Sequence, residues 1–215
     1  MMTVYVESNF VLELVFKQEQ YQNCQKILSL CEAGKVNLVL PAFCIAESYD
    51  AFIRKSKARD ALRKKLGEEF EQLSRGTLPK NQIAILKEVI ELLLRTNKEE
   101  KQRLHKILER ILKVSKLIPM ISEILTLSAT FWEPLELSLQ DSIVYASVVH
   151  HLNTHNATLK CFLNRNSKDF NQLDIQETLT RHNCKLLFSF ETGYNYIQSQ
   201  VRSMHKITST MSLQT

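Results

Sequence analysis

The chain has 215 residues, 44% of them apolar, and a net charge of +5; that is enough apolar material for the core of one good-sized domain and argues against disorder except at the ends. Five cysteines, at positions 24, 31, 44, 161 and 184, are an odd number with no Cys-x-x-Cys pair, which argues against a disulfide framework or a thiolate zinc site and fits a reducing, cytoplasmic setting. No apolar run approaches the roughly 18 residues that span a bilayer, and no charged-then-apolar leader opens the chain, so no membrane partner is expected.

The first element is a short apolar run, Val4-Tyr5-Val6, that ends on Glu7, Ser8 and Asn9. A continuous β-branched and aromatic run predicts a strand buried on both faces, as in a parallel sheet. Ligands collect at the carboxyl ends of such strands, which makes Glu7 and Asn9 candidates for a metal or phosphate site. A helix follows, with Phe10, Val11, Leu14 and Val15 at helical spacing and Ser8 or Asn9 as N-cap. A second helix over about 19–33 carries Tyr21, Cys24, Ile27, Leu28 and Cys31 on one stripe, and Gly34 ends it. Val36 to Leu40 reads as the second strand, stopped by Pro41, and a helix containing Glu47 begins near Ala42.

From Ser56 the chain becomes charge-rich but keeps helical spacing, predicting helices over about 57–75, 83–94 and 99–116, a turn at Gly76 to Pro79, and a short helix after Pro119. Ser138 then caps a helix with a broad apolar face, placing Asp141 in its first turn, where the helix dipole favours negative charge. Leu159 to Leu163 is the third strand, a helix over about 175–181 follows, and Lys185 to Phe190 is the fourth strand. A last helix over about 193–204 leads to a polar, frayed tail. His150 and His151 are adjacent and point in different directions, so with His155 they suit surface or helix-end roles better than a zinc site.

Charge is unevenly spread. Between Arg54 and Lys116 there are 18 Lys and Arg against 9 Asp and Glu, a surplus of +9, while the remainder carries 10 basic against 14 acidic residues. A basic limb on a mildly acidic body can hold a polyanion near an acidic site, and a solvated helical face is the plainer explanation. Arg54, Lys55, Lys57 and Arg59 at the start of the limb, with Arg165 after the third strand, are the candidate nucleic-acid contacts.

Taken together, Val4-Tyr5-Val6-Glu7-Ser8-Asn9, Leu40-Pro41 through Glu47, Asp141-Ser142-Ile143-Val144-Tyr145-Ala146 and Phe162 through Phe170 resemble the motifs of the PIN domain family. These are metal-dependent ribonucleases that include the toxins of VapBC-type toxin-antitoxin modules. The resemblance implies an α/β fold, a PIN-like small parallel sheet flanked by helices. It implies a single domain over 1–205 with a helical, basic insertion at about 56–130 and a flexible tail at 206–215. It further implies Mg²⁺- or Mn²⁺-dependent hydrolysis of RNA by a metal-activated water, with Glu7, Glu47 and Asp141 as metal-binding and catalytic acids. Asn9, Asn164, Asn166 and Asp169 are supporting residues, and RNA, an antitoxin and a second copy of the chain are partners. A hard divalent cation takes oxygen ligands, which is why carboxylates in this order point to that chemistry. Two positions depart from the family's pattern: Glu7 stands where Asp is usual, and Asn166 stands where a fourth acid aligns. A PIN-like domain that binds RNA or protein without cutting is the alternative. Each acid also has a structural role open to it: Glu7 as a cap, Glu47 in a buried ion pair, Asp141 at its helix N-terminus.

Overall fold

The computed structural model describes residues 1–76, 80–155, 157 and 159–211. Its centre is a five-stranded, wholly parallel sheet made of β1 (Met2–Val6), β2 (Val36–Pro41), β3 (Ser115–Ile118), β4 (Lys160–Leu163) and β5 (Cys184–Leu187), in the order β3-β2-β1-β4-β5. Every residue of β1 and β4 is buried, as a parallel strand covered on both faces requires. The chain runs outward from β1 through β2 to β3, then crosses back to lay β4 on the other side of β1. The carboxyl ends of β1 and β4 therefore flank the topological switch point, where open α/β sheets bind ligands.

Helices α1 (Ser8–Phe16) and α2 (Tyr21–Glu32) connect β1 to β2. The cap of α1 is Glu7, not Ser8 or Asn9: its carboxylate accepts the Asn9 backbone N–H at 2.8 Å, because the longer acid reaches back over the first turn. The stripe of α2 is buried as expected, and Gly34 follows with φ 65°, a left-handed conformation that favours glycine.

Helix α3 (Ala42–Ser74) runs on without a break at Ser56, and α4 (Lys80–Val114) joins what the sequence divides into two helices. The gap around Asn97 holds no helix breaker. Its side chain instead reaches across to α3, donating to the Ser56 carbonyl at 3.4 Å and to Asp60 at 3.3 Å. At about 1.5 Å per residue each helix is roughly 50 Å long. The two pack against each other, and their far ends carry exposed Leu62, Leu73, Ile85, Val89 and Leu92. The near end of α4 is part of the body, with Leu104, Ile107, Leu108 and Ile111 in the core. Of the turn expected at Gly76 to Pro79, Gly76 lies in a turn together with Arg75, and the other three residues lie outside those described.

β3 is a fifth strand where a helix to Lys116 was expected; four residues carry too little periodicity to announce it, and it forms by pairing with the open edge of β2. α5 (Ser122–Trp132) packs on α6 (Leu139–Thr154), whose first turn is capped by Ser138 as the sequence predicts. α7 (Ser167–Phe170) and α8 (Leu173–Arg181) lead to β5, which stops at Leu187. α9 (Phe190–Met211) starts earlier than expected because Gln20 accepts the Phe190 backbone N–H at 2.5 Å, turning Phe190 from strand into helix start. Among the described residues no helix is long and apolar enough to cross a membrane. All five cysteines are buried thiols.

Candidate active site

A cleft of about 480 Å³ opens at the switch point, lined by Glu7, Ser8, Asn9, Leu12, Glu47, Ala51, Arg54, Asp141, Val144, Asn164, Arg165 and Asn166. Four elements deliver its polar groups. Glu7 follows β1, Asn164 to Asn166 follow β4, Glu47 sits in the second turn of α3, and Asp141 sits in the first turn of α6. A second cavity of about 500 Å³, lined by Phe43, Asp50, Ser138 and Gln140, shares Glu47, Arg54 and Asp141 with the first. The two make a continuous groove between α3 and α6.

Glu7 is nearly sealed, 5% exposed. Its Oε2 accepts from the Asn9 N–H at 2.8 Å and the Ser8 hydroxyl at 3.2 Å, and its Oε1 accepts from the Arg165 N–H at 3.3 Å. Burial nevertheless dominates and pushes the Glu7 carboxyl up to about 7, with those hydrogen bonds holding it back. The Glu47 carboxyl is raised as well, first by burial and then by the negative charge of Asp141, against a hydrogen bond from Ser8. Asp141 accepts from Ser138 Oγ at 2.7 Å and from Asn166 Nδ2 at 3.2 Å.

Asn166 also donates to Asp169 Oδ2 at 2.8 Å, so one neutral amide bridges two carboxylates. It caps α7 as well. Asp169 is held in this bridge and does not line the cleft. Asn164 is buried, and its side-chain oxygen accepts the Asn166 N–H at 2.8 Å, shaping the loop.

The candidate cations fall into two groups. Arg54 and Arg165 stand on the cleft wall. Lys55, Lys57 and Arg59 stand elsewhere: the Lys55 ammonium lies 3.8 Å over the Phe16 ring, Lys57 is exposed on α3, and Arg59 clamps α3 to α4 through Glu100 and Asn97 at 2.9 Å each. Sequence reasoning missed Glu13, which is fully buried in α1 and ion-paired to Arg165 while also accepting the Gln20 N–H at 2.9 Å. The signal was available, since an acid between Val11 and Leu14 on an apolar helix needs a partner. Ser8, whose hydroxyl touches Glu7, was read only as a cap.

A family model described as a PIN domain matches residues 4–170, a span that includes every element contributing to the cleft. The chain belongs to the PIN domain family. No curated protein and no solved structure matches it. PIN domains have a nuclease-type fold and generally use divalent metal ions. In this PIN domain, no three acidic, imidazole or thiol side chains among the described residues form a ready-made metal cluster. The donors that do line the cleft are hard carboxylate and amide oxygens, and the carboxyls of Glu7 and Glu47 are raised, a state that a cation relieves. That set fits a Mg²⁺-like ion held by a few carboxylates together with water, not by a full protein cage.

Proposed function

We propose that this PIN domain is a divalent-metal-dependent ribonuclease that hydrolyses RNA phosphodiester bonds. The observation that carries the reading is the meeting of Glu7, Glu47 and Asp141, from three separate parts of the chain, on one groove whose wall also bears Arg54 and Arg165. Mg²⁺ or Mn²⁺ would be held by Glu7, Glu47 and Asp141. When bound, the ion supplies Lewis-acid activation of water and phosphate. The groove suits a polymer, and the two guanidiniums suit its phosphates. Glu13 fixes the Arg165 guanidinium, Asn9 and Ser8 fix Glu7, and Asn166 with Asn164 fixes the loop after β4. The setting is cytoplasmic. A toxin-antitoxin role, with an antitoxin over the groove and a second copy of the chain as partner, is the more specific form of this proposal, and the long α3–α4 pair does not suit a minimal toxin.

A second reading has its own observation. Where the family's pattern has a fourth acid, the neutral Asn166 amide bridges Asp141 and Asp169, which takes one negative charge out of the site. This favours a domain that binds RNA or a protein partner without cutting. Calorimetric Mn²⁺ titration of the wild type and Asp141→Asn, with RNA cleavage followed in the same buffer, decides between them. Binding and cleavage that both vanish in the variant support the nuclease. Mn²⁺ binding without cleavage supports the second reading, and no Mn²⁺ binding by the wild type overturns the metal site.

A further inference from the structure

A separate cavity lies away from the carboxylate cleft, on the sheet beneath the C-terminal end of α6. Its volume is about 470 Å³, within the range of sites for small organic ligands. Strand register builds its floor: Tyr5 stands beside Val39 and Val39 beside Lys116, and one step back Thr3 stands beside Asn37. Residues two apart on a strand share a face, so three strands present these groups on one surface. Where α6 ends, His151, Thr154 and His155 overhang it.

The sequence assigns these histidines to the surface, yet His151 is only 6% exposed and its Nδ1 lies 2.8 Å from the Tyr5 hydroxyl. Burial pushes the Tyr5 phenol up; burial, then the charges of His155, Lys116 and His150, push His151 down to about 4. A protonated phenol thus faces a neutral imidazole. The phenol is the stronger donor, so it donates to Nδ1 and the ring proton is assigned to Nε2. That Nε2 is buried and has no partner among the described residues, and a buried donor without an acceptor calls for an explanation.

His155 has the opposite arrangement. Its Nδ1 lies 3.2 Å from the His151 carbonyl, which can only accept, so its Nε2 is the acceptor that Lys116 Nζ meets at 2.5 Å. The two rings stack at 3.8 Å and 7°. Among the described residues no carboxylate lines the cavity, and Lys116 is a cation on it. A metal ion there would stand beside an ammonium with no negative ligand.

We propose that this cavity binds a small organic anion, a planar group bearing a carboxylate or phosphate, whose oxygens are received by the Lys116 ammonium beside the stacked His151 and His155 rings. Val39 and Val114 supply apolar wall for the planar part. The carbonyl end of α6 is negative and sets itself against very tight binding.

The test titrates phenyl phosphate and benzoate into the full chain, with phenol as the uncharged control, followed by calorimetry and by proton–nitrogen NMR of the histidine side chains. The expected result is saturable binding of the two anions but not of phenol, a moving His151 Nε2 resonance, and a loss of about tenfold or more in Lys116→Ala. Lys116 is exposed, so this variant folds. Glu47→Gln, in the other cleft, leaves the binding unchanged. Phenol binding as well as the anions, or an affinity untouched by Lys116→Ala, overturns the proposal. So do His151 ring resonances that stay unmoved through millimolar anion.

Discussion

Glu7 shows how one side chain can serve a site at the expense of the fold. Its carboxyl titrates near 7 in the folded protein against 4.5 ordinarily, so between those values the folded state binds the extra proton and stability falls as pH rises. Glu7→Gln is therefore expected to be more stable than the wild type at pH 8, by at most on the order of 3 kcal/mol, with the advantage gone near pH 4. The amide oxygen can keep the Asn9 N–H, while the NH₂, itself a donor, gives up the longer contact that the Arg165 N–H makes to Oε1. Urea denaturation at the two pH values checks this, and equal stability at both would falsify the buried-charge account. Mn²⁺ affinity, where Glu7 is a ligand, should rise through the same window as the proton leaves. Arg165 makes the complementary case. Arg165→Ala strands the fully buried Glu13 carboxylate, and a loss of about 3 kcal/mol is expected from the same denaturation measurement. Glu13 could be read from sequence as an acid needing a partner. Which cation supplied it could not, because the two lie 152 residues apart.

At the scale of elements, α4 is one helix with two environments. Ile111 is fully buried in the core, and Leu92 on the same helix is 50% exposed. Ile111→Ala should lower unfolding free energy by about 2–5 kcal/mol, and Leu92→Ala should change it by no more than about 0.5. Comparable urea midpoints for the two variants would contradict this division of α4 into anchored and projecting halves. The sequence shows helical spacing in both halves, since periodicity records that a face is apolar and not what covers it. The same blindness hid β3. Ser115 to Ile118 follow a strong helical pattern without a break, and only the free edge of β2 makes them a strand. Where signals are local, as with Gly34 after α2 or Ser138 before α6, the elements stood where the residues predicted.

For the whole molecule, the basic surplus between Arg54 and Lys116 resolves into cations that are committed and cations that are free. Arg59 is bound by Glu100 and Asn97, whereas Arg54 faces the groove and, among the described residues, pairs with exposed Asp50. On the proposed function, single-stranded RNA affinity measured by fluorescence anisotropy falls linearly in log salt, each phosphate contact adding about 0.7 to the slope. Arg54→Ala should reduce the slope by about one such contact. Arg59→Ala should leave the slope unchanged while weakening the fold. The reverse pattern would move the RNA from the groove to the α3–α4 pair.

By itself the sequence determined the strands β1, β2 and β4, the helices that follow the first two, and the order of the motif acids, because each rests on residues a few positions apart. The PIN resemblance was legible for that reason, and the match over residues 4–170 agrees with it. Only the tertiary structure decided that Glu7, Glu47 and Asp141 share one groove, that Arg165 belongs to Glu13, and that Tyr5 and His151 close a second cavity. Those pairings join distant segments through sheet order and the crossover between β3 and β4, and no local pattern of side chains encodes which distant partner a buried charge or hydroxyl will meet.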